Sequence, residues 1–176
     1  MSSPHSQWKR TLGAVWGYTG FFVLMVFAIF RLAQVSLEAT SYELTLWHWL
    51  LLIGNTIFMA YSEGYKGFQK AYSPRLASRA LYLRQYGTAR QLLLAPAFCM
   101  SFFDAPRRRV IVSYSILVMV IVLVTLFRLL PQPVRGILDF GVVIGLSWGT
   151  ISVLYFSVVY ATGKKQMVDA EVVAKG

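Results

Sequence analysis

The sequence has few residues of the kinds that build disulfides, metal centres and acid–base active sites. It contains one cysteine, two histidines and seven acidic residues among 176 positions. A lone cysteine excludes a disulfide within the chain and any cysteine-cluster zinc or iron–sulfur site. No glycine-rich phosphate loop, histidine–carboxylate metal motif or nucleophile elbow is present. The sequence therefore gives no sign of a catalytic centre, and no cofactor is expected.

Charged residues are also scarce, whereas hydrophobic residues are abundant. They make up 14% and 57% of the chain, respectively, against about 25% and 45–50% in typical soluble proteins. Four apolar runs, at about 12–33, 44–62, 110–130 and 136–161, are each long enough to cross the ~30 Å hydrocarbon layer as a helix. The pattern predicts an all-α integral membrane protein with a single domain of four transmembrane helices. The first run is too long for the apolar core of a signal peptide.

Positive charges fall mainly on one side of these spans. Of the 17 Lys and Arg residues, 14 lie before the first span, between the second and third, or after the fourth, where Lys164, Lys165 and Lys175 are found. The positive-inside rule therefore predicts a multi-pass protein of the plasma (inner) membrane, with both termini and a large loop at 63–109 in the cytoplasm. Because this topology accounts for the net charge of +10, nucleic-acid binding is not expected.

The two halves of the chain align after a shift of 97–99 residues. In this alignment Arg31 meets Arg128, and Tyr61 meets Tyr160. One interpretation is a duplicated helical hairpin that keeps its orientation in the membrane. The alternative is that two unrelated hairpins place the same residue types at similar depths, because the membrane favours them there. The sequence leaves both interpretations open.

The first and fourth spans carry glycines at a spacing that allows close helix packing. Residues four apart share a helix face, and small side chains there let two backbones approach in lipid. The pattern predicts tight contacts at Gly13 and Gly17 and along the stripe Gly141, Gly145 and Gly149. It does not identify the partner of the fourth-span stripe, which is the first span, a second copy of the chain, or another protein.

The predicted cytoplasmic loop contains helix signals of its own. Ser73 and Pro74 suit a helix start, Gly87 suits its end, and Thr88 suits the cap of a second short helix. The apolar run 91–103 is too short to span, so it is interfacial, re-entrant, or packed against the bundle. The first helix either lies on the inner leaflet or presents a solvated basic face that only enforces topology. In the membrane-bound interpretation, anionic lipid head groups contact Arg75, Arg79, Arg84, Arg90, Arg107, Arg108 and Arg109.

Two polar residues of the second span are the candidate functional side chains. Asn55 lies mid-span, where an amide can hydrogen-bond another helix. Glu63 is expected at the shallow inner end, where it meets water or pairs with Lys66, although carboxylates inside membranes often mark proton or ion paths. His48 lies between two tryptophans and is interpreted as an interfacial residue rather than a metal or haem ligand.

Three classes of function remain open. The favoured one is a non-enzymatic accessory or scaffolding subunit that packs with partner helices and anionic lipid, as a homo-oligomer or in a larger membrane complex. The alternative is a small oligomeric transporter or channel, which would need ionisable groups deep in the spans. A second alternative is a lipid-modifying enzyme at the cytoplasmic face, using Glu63, Asp104 and the loop arginines.

Overall fold

The computed structural model describes residues 4–163 and 168–173, and these residues form helices, turns and short connections without a strand. Lys164, Lys165 and Lys175, which carry part of the topology prediction, lie outside the described residues. In chain order the helices of the described part are α1 (Pro4–Glu38), a short 3-10 turn (Ala39–Ser41), α2 (Leu46–Met59), a π-helical segment (Ala60–Tyr72), α3 (Ser73–Tyr86), α4 (Ala89–Leu93), α5 (Ala95–Cys99), α6 (Arg107–Arg128) and α7 (Val134–Ala161).

Three helices are long and apolar enough to cross a membrane, which confirms the predicted helical fold and is compatible with a membrane protein. Within the described residues they are Gln7–Ser41, Arg107–Arg128 and Val134–Ala161. The second predicted span is not a single α-helix of spanning length. Its helix α2 has only 14 residues, or ~21 Å of helix, before the π segment begins. Four spans and a duplicated hairpin remain predictions.

The backbone between residues 60 and 86 differs from the expected span end at residue 62. The π segment follows α2 directly and α3 follows the π segment, so the chain stays helical to Tyr86. Polar side chains such as Lys66 and Lys70 lower the hydropathy here, but they remove no backbone N–H donor and do not break a helix. The predicted boundary at Gly87 is confirmed, as is the cap at Thr88, whose N–H donates to Gln91 Oε1 at 3.1 Å.

The chain divides into two compact units. The first contains Met1–Val23, Tyr72–Ile116 and Val153–Gly176, and the second contains Leu24–Ala71 and Leu117–Ser152. The core of the first unit comes largely from α3 and α5, with Leu76, Leu83 and Phe98 almost fully buried. In the second unit, small or polar residues take much of the buried space, among them Ala39 and Asp139.

Candidate functional site

In the second unit, α7 packs along its glycine stripe against α2 and the π segment. The facing pairs are Gly141 with Asn55, Gly145 with Glu63, and Gly149 with Phe68. A β-carbon at any of these glycines would come closer than 3.0 Å to the facing side chain. The stripe is therefore packed against α2 and the π segment of the same chain, a partner that was not among the three that the sequence left open.

Asn55 joins the two helices by hydrogen bonds. Its Nδ2 atom donates to the carbonyl oxygens of Ile137 and Leu138, each at 3.1 Å. Because Gly141 has no side chain, the amide can approach the α7 backbone this closely. This is the interhelical hydrogen bond expected of an amide in the middle of a span.

Glu63 faces Gly145, which lies in the middle third of the 28-residue helix α7. The Oε2 atom of Glu63 is buried and has no hydrogen-bond partner among the described residues. A β-carbon on Gly145 would lie 2.8 Å from this oxygen. Glu63 is thus in the helix seam, with helical backbone continuing to Tyr86, and not at the end of a helix as the sequence suggested.

The π-helical backbone determines which side chains share this face. Hydrogen bonds in a π-helix run from residue i to i+5, so residues five apart lie above one another. Glu63 and Phe68 are five apart, and both contact the glycine stripe. Gly64 and Gln69 are also five apart, and both contact Trp148, whose Nε1 donates to Gln69 Oε1 at 2.8 Å. An α-helix would place the members of each pair on different faces.

The same spacing pairs two lysines with tyrosine rings. Lys66 Nζ lies 4.8 Å from the Tyr61 ring centroid, and Lys70 Nζ lies 4.6 Å from that of Tyr65. Lys66 is therefore held over an aromatic ring and does not form the expected pair with Glu63. Glu63 belongs to neither of the two ion pairs that the described residues form.

In the first unit, the glycine face of α1 is covered by α4 and α5. Leu92 faces Gly13, and Cys99 faces Gly17. Pro96 faces Gly20 at the next turn. Of the three predicted positions for the run 91–103, the structure shows packing against the bundle.

Arg79 is at the centre of the first unit and is only 1% exposed. Its Nε donates to the carbonyl of Phe98 at 2.7 Å, and its terminal nitrogens donate to the carbonyls of Phe103 at 2.9 Å and Ala170 at 3.1 Å. Longer bonds at 3.3 and 3.4 Å reach the carbonyl of Asp104. Burial lowers the pKa of Arg79 to about 10, so it stays charged at neutral pH. As a correction to the sequence prediction, Arg79 binds main-chain oxygens and is not exposed to lipid head groups.

The other predicted head-group arginines differ in their surroundings. Arg75 is half-buried, and Arg109 forms two bonds to the carboxylate of Glu171, at 2.8 and 3.2 Å. The remaining members are exposed and are Arg84, Arg90, Arg107 and Arg108. Glu171 could not be predicted as a partner of Arg109, because it lies 62 residues after Arg109 and no periodicity connects the two.

The remaining polar residues that the sequence singled out have local structural partners. His48 Nδ1 accepts a hydrogen bond from the N–H of Thr45 at 3.2 Å, at the start of α2. The carboxylate of Asp104 accepts one from Gln91 Nε2 at 3.1 Å. Within the part of the chain that the structure describes, no three His, Cys, Asp or Glu side chains are grouped as metal ligands.

Comparisons with known proteins provide no functional assignment. The chain matches no protein-family model, no curated protein and no solved structure.

Proposed function

We propose that this chain is a small membrane transporter or channel subunit in which Glu63 binds and releases a proton or a monovalent cation. The observation that carries the proposal is the buried Oε2 atom of Glu63, which faces Gly145 and lacks a hydrogen-bond partner among the described residues. Ionisable groups within membrane spans are costly and are often found in ion or proton paths. A transporter or channel needs such a group deep within its spans.

The depth of Glu63 follows from the helix that it contacts. The 28 residues of α7 extend ~42 Å, more than the ~30 Å hydrocarbon layer. A side chain at the level of Gly145 is then inside the hydrocarbon layer. In this proposal α2 and the π segment together form the second of four spans, both termini are cytoplasmic, and the chain lies in the plasma membrane.

Protonation changes the energetics of this seam. A charged carboxylate without a partner is strongly disfavoured in a low-dielectric surrounding, whereas the neutral acid is tolerated at lower cost. Loss of the proton therefore favours entry of water or a cation beside Glu63. The π segment places Glu63 and Phe68 on one face, and π-helical turns occur frequently at functional sites.

Proton flux into proteoliposomes tests the proposal. The purified chain should dissipate an imposed pH gradient faster than empty vesicles do, and Glu63→Gln should remove most of the difference, because an amide takes up no proton. Glu43→Gln is the matched control, since Glu43 is exposed in the connection before α2. Flux is to be measured with sodium or potassium as the counter-ion, which separates proton from cation movement. No flux above empty vesicles under any of these conditions would exclude the proposal.

A second candidate function is an accessory subunit that binds partner helices through α6. Throughout its 22 residues, all of them described, α6 buries no residue, although its composition is that of a membrane span. A photo-crosslinker at Met119 of α6 should capture one partner protein in native membranes, whereas a crosslinker at the buried Val153 should not. Capture of lipid alone at Met119 would argue against this candidate.

A further inference from the structure

In the first unit, the C-terminal segment 168–173 closes a cluster of three arginines. Arg75, Arg79 and Arg109 line a small cavity together with Asp169, Ala170 and Glu171 of that segment. Both acidic side chains that line the cavity belong to the segment. Without the segment the cluster would carry three positive charges and no lining carboxylate.

The segment is held by a few specific bonds. Ser78 Oγ donates to the carbonyl of Val168 at 2.7 Å, and Arg79 donates to that of Ala170 at 3.1 Å. The carboxylate of Glu171 accepts two bonds from Arg109, at 2.8 and 3.2 Å. This two-point geometry is the one in which arginine also binds phosphate. The bond to Arg109 lowers the pKa of Glu171, which is therefore ionised at neutral pH.

Arg75 lies beside this pair, and its guanidinium has hydrogen-bond donors unused by the described residues. It lines the cavity but makes no hydrogen bond or ion pair to a described residue. Burial, and then the nearby charge of Arg109, lower the pKa of Arg75. A second anionic oxygen group at this position would satisfy donors that Glu171 does not reach.

The backbone around the cavity is strained. The non-glycine residues with positive φ in the described ranges are Ser101 (63°), Asp104 (50°) and Glu171 (46°). Ser101 and Glu171 line the cavity, and the carbonyl of Asp104 accepts bonds from Arg79. Such conformations are disfavoured for L residues and tend to occur at ligand clamps and switch regions. The backbone conformation of Glu171 is therefore locally disfavoured and is maintained by its bonds to Arg109.

We infer that Arg75 and Arg109 form a binding site for a phosphate group, and that Glu171 occupies this site as an internal anion until a phosphate displaces it. With the segment in place the cavity is about 10 Å³, room for one water at most. Phosphate and Glu171 therefore exclude each other. The phosphate of an anionic lipid and free inorganic phosphate share this chemistry.

The position of Arg109 makes the lipid a physically accessible source. Arg109 is the third residue of α6, a helix able to cross a membrane. Basic residues that flank a span lie at the level of the lipid phosphates and are attracted to anionic lipid. This site is separate from Glu63, so the proposed function and this inference can fail independently.

Hydrogen exchange of segment 168–173 in the full chain tests the inference. The chain is placed in nanodiscs of phosphatidylcholine alone, of phosphatidylcholine with phosphatidic acid, and of phosphatidylcholine with added inorganic phosphate. Exchange should rise severalfold with phosphatidic acid. If exchange also rises with inorganic phosphate, the site binds phosphate in general. If exchange rises with phosphatidic acid but not with inorganic phosphate, the site binds the lipid head group. No rise in either condition would overturn the inference.

Three variants separate displacement of Glu171 from general charge effects. Glu171→Gln should raise exchange in nanodiscs of phosphatidylcholine alone and tighten binding of phosphatidic acid severalfold. Asp169→Asn also removes one negative charge, but Asp169 makes no bond to Arg109, so this variant should have a smaller effect. Arg75→Gln should reduce the release caused by phosphatidic acid. Arg31→Gln, which changes an exposed arginine of α1 in the second unit, should not reduce it. Equal release in the Arg75 and Arg31 variants would remove Arg75 from the site.

Discussion

Replacement of Gly145 by alanine measures how closely α7 and the π segment must approach. The new β-carbon would lie 2.8 Å from Glu63 Oε2 and 3.2 Å from Glu63 Cβ. The carboxyl oxygen can rotate away, but the β-carbon of Glu63 is fixed to the helix backbone. The two helices must therefore separate by a few tenths of an ångström. Gly54→Ala is the matched control, because a β-carbon there meets no atom within 4 Å.

The expected difference follows from two terms. Alanine is favoured over glycine in a helix interior by about 1 kcal/mol, and this gain is common to both variants. Overpacking in a close contact costs about 1–3 kcal/mol, and only Gly145→Ala incurs it. The free energies of unfolding of the two variants should thus differ by about 1–3 kcal/mol. At about 2–4 °C per kcal/mol for a chain of this size, Gly145→Ala should melt several degrees below Gly54→Ala.

Thermal unfolding in one detergent, followed by tryptophan fluorescence, measures this difference. A double-mutant cycle with Glu63→Ala assigns it, because removal of the Glu63 carboxyl should relieve part of the cost at Gly145 and leave Gly54→Ala unaffected. Gly145→Leu should likewise be more disruptive than Val143→Leu, since Val143 is only half-buried. Equal melting temperatures for Gly145→Ala and Gly54→Ala would refute the close contact.

Three further predictions concern other parts of the chain. The lowered pKa of Glu171 stabilises the C-terminal segment above the ordinary carboxyl pKa of ~4.3. That stability is lost as the pH falls through the lowered value. The protection factor of 168–173, which corrects each exchange rate for the intrinsic pH dependence of amide exchange, should therefore fall below about pH 4 and stay flat from about pH 5 to 8. Burial raises the pKa of Cys99 to about 12, so a maleimide should label it only after denaturation. In that background, Glu38→Cys and Gln132→Cys should label from outside and Arg84→Cys only from the cytoplasm, and external labelling at Arg84 would reverse the topology.

Local signals in the sequence predicted the parts of the fold that depend on local physics. The helix end at Gly87, where a β-carbon would lie 2.5 Å from the carbonyl oxygen of Leu83, and the cap at Thr88 depend on contacts within a few residues. The three long apolar helices follow from hydropathy alone. Glu38 and Gln132, which the topology prediction places on the outer side, share a hydrogen bond of 3.3 Å from Gln132 Nε2 to Glu38 Oε2.

The surroundings of Arg79 could not be predicted in this way. Its partners come from residues 98–104 and from residue 170, far from α3 along the chain. Helical periodicity placed Arg79 on one stripe with Arg75, and a stripe of arginines normally faces water or lipid phosphates. In the structure the buried guanidinium of Arg79 instead donates to several main-chain carbonyls at once, which its five N–H groups allow.

The π segment shows how one change of helical pitch alters the chemistry of a side chain. With α-helical pitch, Lys66 would lie one turn after Glu63 and could neutralise it. With five-residue spacing Lys66 lies over Tyr61 instead, at 4.8 Å, and Glu63 turns toward Gly145. A carboxyl group with no fixed counter-ion can bind a proton or a cation that enters the seam, whereas an ion-paired carboxylate would stay charged. The polar run after residue 60, which resembles the end of a span in sequence, is therefore the feature that leaves Glu63 available for proton or cation exchange in the proposed function.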